Sequence, residues 1–163
     1  MENTKHIPVY TMKGPVVHGR GIGKLVGMPT ANLKKEHEQE LPTAGVYIAK
    51  VLLESSIYYG ITHIGTRPTV DSDRHISVET HILNFNEDLY GCEIEIQLFT
   101  KLRTPQRFDN LSLLLEQIRK DCVSAREFWG IEQIASCLCI DVNTHSVKIN
   151  QQEIFLSLIH ISE

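Results

Sequence analysis

The 163-residue chain has no apolar run long enough to cross a membrane, and its first residues, Met-Glu-Asn-Thr-Lys-His, do not resemble a signal peptide. A cytoplasmic protein without a membrane partner is expected. Cysteine is sparse: Cys92, Cys122, Cys137 and Cys139 form no Cys-x-x-Cys pair and no disulfide-framework spacing. Cys137 and Cys139 suit one face of a strand, but two thiols without nearby partners make no metal site, so reduced thiols are expected. Basic excess is also missing. A formal charge of −4 gives no electrostatic footprint for nucleic acid and argues against that partner. Two common nucleotide signatures are absent as well. No Gly-Lys-Ser/Thr closes a Walker loop, and no strand–turn–helix pattern surrounds a dinucleotide fingerprint.

What the chain does have is a glycine loop. Gly19, Gly21 and Gly23 alternate with Arg20, Ile22 and Lys24. Such a backbone turns sharply and brings its N–H groups close to a bound group, and the two cations suit a polyphosphate. Pro29-Thr30-Ala31-Asn32 follows. In an extended segment Thr30 and Asn32 share a face, and a hydroxyl with an amide carbonyl are hard ligands that Mg²⁺ accepts beside phosphate oxygens and water. Glycine loops with basic residues are common, however, and most bind nothing.

The remaining pattern is mostly strands. Residues up to about Met12 read as a lead-in, residues 13–18 as a first strand, and the alternating charges of residues 34–40 as a solvated loop. Residues 45–53, rich in β-branched and aromatic side chains, pair with residues 57–65 across a turn at Glu54-Ser55-Ser56. The polar, proline-broken residues 66–74 read as a loop. Ile76, Val78 and Ile82 alternate with Ser77, Glu79 and His81, which puts Glu79 and His81 opposite a core face. Residues 84–91 form a turn region. In residues 93–103, Ile94, Ile96, Leu98 and Leu102 point inward. Leu111, Leu114, Leu115 and Ile118, continued by Cys122, Ala125 and Trp129, mark an amphipathic helix with Asp109 as N-cap and Gly130 as stop. Antiparallel strands with one late helix are expected to close into a small barrel. Residues 1–130 form that domain. Residues 131–163, with a hairpin pattern around Asn143-Thr144-His145, form an extension of unassigned role, or the start of a second domain.

Several of these segments together resemble the riboflavin kinase (flavokinase) family. The Pro29-Thr30-Ala31-Asn32 tetrapeptide after a glycine loop carries the resemblance. So do Gly45-Val46-Tyr47, Ile64-Gly65-Thr66-Arg67-Pro68-Thr69, Val78-Glu79-Thr80-His81-Ile82, Asp88-Leu89-Tyr90-Gly91, Leu102-Arg103 and Phe108-Asp109. They run in order from about Gly14 to Trp129. The resemblance implies a mainly β fold, a six-stranded antiparallel Greek-key barrel with a C-terminal helix. It implies transfer of the ATP γ-phosphoryl group to the 5′-hydroxyl of riboflavin, giving FMN and ADP.

By the same resemblance, Thr30 and Asn32 match the Mg²⁺ and phosphate ligands, and Gly19 and Lys24 the loop over the phosphates. Glu79 matches the catalytic carboxylate. Ile82, Asn84 and Tyr90 match the adenine side, and Arg103, Gln106 and Phe108 the flavin side. His81 ranks as a residue that orients the carboxylate. The chain departs from the usual pattern at Lys24, Val26, Met28, His63, Val70 and Pro105, none of which is Thr30, Asn32 or Glu79. An N-terminal FMN adenylyltransferase domain, frequent in bacterial relatives, is not expected, and a monomer is. Two alternatives stand beside the kinase: a flavin-binding regulatory protein that uses the barrel as a sensor, and a barrel acting on another alcohol.

Overall fold

The computed structural model describes residues 6–19, 27–34, 40–68 and 74–131, with the side chains of 66–68, 74 and 75 left aside. The glycine loop from Arg20 to Val26, with Lys24 in it, lies outside the described residues. So do Val70, Cys137, Cys139 and the whole extension beyond Ile131.

Six strands form: β1 (Tyr10–Val17), β2 (Ala31–Leu33), β3 (Gly45–Leu53), β4 (Ser56–Pro68), β5 (Arg74–Ile82) and β6 (Glu93–Arg103), followed by helix α1 (Leu111–Trp129). They close in the order β1-β2-β5-β4-β3-β6, every neighbouring pair antiparallel. This is the expected six-stranded barrel with its late helix. Period-two alternation sends Met12, Val16, Val78, Ile82, Ile94, Ile96 and Leu98 inward to one core. Inside it, the Thr62 and Thr80 hydroxyls pair at 2.8 Å, which satisfies two polar groups that burial would otherwise penalise.

β3 is apolar on both faces because both are covered. Its outward Val46 and Ile48, with Ile61 of β4 and Leu83, pack under Leu114, Ile118, Cys122 and Ala125 of α1. Asn110 caps the helix, its side chain accepting from Leu113 N at 2.9 Å. At the far end Gly130 takes φ 65°, and its N–H and that of Ile131 return to carbonyls of the last turn.

Several boundaries differ from the sequence reading. β1 begins at Tyr10, not Lys13, because residues 10–15 pair with β6, and it ends at Val17. Ser56 opens β4 instead of ending the turn. The expected loop over residues 66–74 is partly strand: Thr66, Arg67 and Pro68 pair with Ile76, His75 and Arg74, so cross-strand pairing overrides the polar composition. The N-cap is Asn110, one residue after Asp109. Leu102 packs in the outer layer under α1, not in the barrel core, because the β3–β6 register shifts twice between Val46 and Ala49.

Leu114 is fully enclosed between barrel and helix. Leu114→Ala should lower the unfolding free energy by about 2–5 kcal/mol, measured by denaturant titration, while the barrel's circular dichroism is retained.

Candidate active site

Antiparallel register carries one row of residues across five strands. Asn32 of β2 pairs with Glu79 of β5, Glu79 with His63 of β4, His63 with Val46 of β3, and Val46 with Arg103 of β6. Directly opposed residues lie on the same face, with Cβ atoms about 4.5–5.5 Å apart. Val78 and Thr80, on either side of Glu79, are 2% and 0% exposed inside the barrel, so the row faces outward.

Outward does not mean solvated. Helix α1 covers this face, and Glu79 is 6% exposed. Alternation alone leaves such a glutamate on a wet surface; here it is buried, on the wall of a cavity that Ile118 and Asp121 of α1 also line.

Two cavities meet at Thr30. The smaller, about 40 Å³, lies between the barrel wall and α1, bounded by Thr30, His63, Glu79, His81, Arg103 and Asp121 with apolar Met28, Val46, Ile61 and Ile118. The larger, about 270 Å³, is bounded by His18, Gly19, Thr30, Asn32, Ile82 and the turn that carries Phe85, Asp88 and Tyr90. Thr30 belongs to both. Asn32 and Glu79, partners across β2 and β5, face one cavity each. Gly19 is tight against Asn32: a Cβ there would collide with its side-chain amide, so only glycine lets the two approach.

The structure thus brings together Gly19, Thr30, Asn32, Ile82 and Tyr90 around the larger cavity, and Glu79 and Arg103 around the smaller. Tyr90 is exposed and stacks on His18, ring centroids 3.5 Å apart at 15°, while its N–H donates to Asp88 at 2.9 Å. Phe108 packs in the outer layer, with the Arg103 guanidinium 5.8 Å from its ring centre. Asn84, in the left-handed region at φ 56°, and Gln106 are exposed and line neither cavity.

Two features escaped the sequence reading. Asp121 is 3% exposed and takes Arg103 in a two-pronged ion pair: Nη2 to Oδ2 at 2.8 Å and Nε to both oxygens at 3.0 and 3.1 Å. Gln117 adds a donor to Oδ1 at 3.1 Å. The available signal was an acid at the helical spacing of Leu114, Ile118 and Ala125, in the stripe that packs inward. The second is His81. Its Nδ1–H donates to the Pro29 carbonyl at 3.0 Å, a partner the sequence does not announce. Burial pushes the ring's pKa below the usual 6.5; the Pro29 bond opposes this and the Arg126 charge on α1 adds to it.

A family model described as "Flavokinase: Riboflavin kinase" matches residues 7–129. The bifunctional riboflavin kinase/FMN adenylyltransferase of Escherichia coli strain K12 is 42% identical over 127 residues, 77% of this chain and 40% of that protein. The chain therefore spans about two fifths of that relative's length. Among solved structures, one described as a macrolide-efflux protein from Streptococcus pneumoniae superposes with a TM-score of 0.68 at 30% identity, over 73% of this chain and 38% of that one. Riboflavin kinase from Trypanosoma brucei superposes with a TM-score of 0.53 at 23% identity, over 74% of this chain and 79% of that one, a likeness of fold. Among the described residues no helix is long and apolar enough to cross a membrane.

Two outcomes follow from these contacts. Asp121→Ala strands the Arg103 guanidinium under the helix, and should cost about 3 kcal/mol or more in denaturant unfolding. His81 is held neutral more firmly in the folded than in the unfolded chain. Its contribution to stability is therefore present above about pH 6.5 and lost as pH falls below that value. The stability advantage of the native chain over His81→Asn should shrink between pH 7.5 and 5.5, measured by urea titration at each pH.

Proposed function

The chain belongs to the riboflavin kinase (flavokinase) family, and on that premise we propose that it transfers the γ-phosphoryl group of ATP to the 5′-hydroxyl of riboflavin, giving FMN and ADP. The observation that carries this reading is the wall shared by two cavities. A two-substrate transfer needs donor and acceptor held on either side of one point; Thr30 borders both cavities, and Asn32 on the larger is the strand partner of Glu79 on the smaller. The larger cleft, with Gly19 and Asn32 at one side and Ile82 and Tyr90 at another, suits a nucleotide. The smaller has room for roughly three water-sized groups, enough for the hydroxyl end of the ribityl chain. The flavin ring would then lie toward Arg103 and Phe108, which offer a polar edge and an aromatic face.

Phosphoryl transfer asks for positioning and charge neutralisation more than for covalent chemistry. Glu79 accepts the proton of the attacking hydroxyl as its oxygen bonds to phosphorus and ADP departs. A positioned base of this kind contributes about 10²–10⁴-fold. The Thr30 hydroxyl and Asn32 amide carbonyl fit Mg²⁺ as hard, neutral donors whose remaining partners are phosphate oxygens and water. When bound, that ion neutralises charge on the transferring group. Among the described residues no cluster of three His, Cys, Asp or Glu side chains offers a rival metal site. Lys24, from the loop after Gly19, is assigned to the phosphates.

A monomer is proposed as the acting unit. A cytoplasmic setting is proposed with it.

The test is FMN formation from riboflavin with ATP and Mg²⁺, followed by chromatography. The native protein should turn over, and Glu79→Gln should lose about 10²-fold or more in kcat while still quenching riboflavin fluorescence on binding. Flavin binding without turnover in the native protein would favour a sensor over a kinase. Gly19→Ala, which displaces the Asn32 amide, should raise the KM for ATP roughly tenfold and leave riboflavin binding unchanged.

A further inference from the structure

β2 is three residues long, and its ladder to β5 stops at the Ala31–Thr80 pair. Proceeding back toward the loop come Thr30 and Pro29, and proline has no N–H with which to prolong a ladder. Thr30 nevertheless borders both cavities. The Pro29 carbonyl accepts from His81 Nδ1–H at 3.0 Å, across 52 positions of sequence. A side-chain bond takes over where the backbone ladder ends. The peptide unit from Pro29 to Thr30 is planar, so a bond that holds its oxygen also fixes the nitrogen from which Thr30 departs.

His81 is two residues from Glu79 on the same face of β5, and both border the smaller cavity with Thr30. One strand therefore carries the carboxylate and the ring that anchors the residue facing it. We infer that His81 is a positioning residue: its bond to the Pro29 carbonyl sets the Thr30 hydroxyl relative to the Glu79 carboxylate. The kinetic consequence rests on the kinase reading; the structural link does not.

Full-length His81→Leu removes the donor and keeps apolar volume, whereas His81→Asn retains an N–H near the position of Nδ1. At pH 7.5, His81→Leu should lower kcat for FMN formation by roughly tenfold or more, with riboflavin affinity held within about twofold. His81→Asn should recover most of the rate. In the ligand-free protein, the Thr30 methyl resonance should move in His81→Leu and stay near its native position in His81→Asn. If His81→Leu fails to fold, His81→Gln, which shifts the donor by one methylene, replaces it under the same criteria. A variant that merely melts earlier at unchanged kcat, equal rate losses in both variants, or a Thr30 resonance indifferent to both would overturn the inference. Should the native protein make no FMN, the kinase reading falls, and the Thr30 resonance still decides the positional link.

Discussion

The pairing of β2 with β5 is the constraint on which the site depends. It consists of three residue pairs, and the middle one sets Asn32 beside Glu79. A slip of one residue in a strand reverses every side chain to the opposite face, which here would turn Glu79 into the barrel core and Val78 out of it. Val78, Thr80 and Ile82 inside the barrel prevent that slip, because burying a carboxylate in their place costs far more than the ladder returns. The hydrophobic alternation of β5 thus does two things at once. It builds the core, and it fixes which cavity the carboxylate serves.

Helix α1 completes what the barrel begins. Its apolar stripe lies on the outer faces of β3 and β4, and Glu79, His63 and Arg103 of the cross-strand row line the cavity between it and the barrel. A charge removed from water has to find a partner. Arg103 meets this demand through Asp121, whose own position is held by the helix and by Gln117. The guanidinium is held before any ligand arrives, and with it the side of the cavity next to Phe108. Preorganisation of this kind reduces what binding must later order.

Local patterns made much of this legible in the sequence. The alternation of residues 76–82 and 93–98 marked two barrel strands and their inward faces, and the leucine spacing marked the helix and its packed side. Pro29-Thr30-Ala31-Asn32 stood out as a short motif and Glu79 only through the family resemblance, and register pairs Asn32 with Glu79. Long-range contacts were not legible. Nothing near Glu79 announces that Ile118 and Asp121 share its cavity, so its burial looked like exposure. The Arg103–Asp121 pair joins a strand end to a helix interior and leaves no local trace beyond one acid in an apolar stripe. Residues 66–68 read as loop because their composition is polar, whereas their strand state comes from the partner they face. His81 was placed on the correct face, but its partner, a carbonyl, has no sequence signature at all.

Asn32 and Glu79 are proposed to act on the same transferring group from adjoining positions, and a double-mutant cycle measures that directly. Groups that work as a unit are strongly non-additive in kcat/KM, whereas independent sites add. With Asn32→Ala, Glu79→Gln and the double variant assayed for FMN formation, the double variant should be little worse than the weaker single one. Losses that simply multiply would mean that the two side chains serve separate places, and would contradict the shared site.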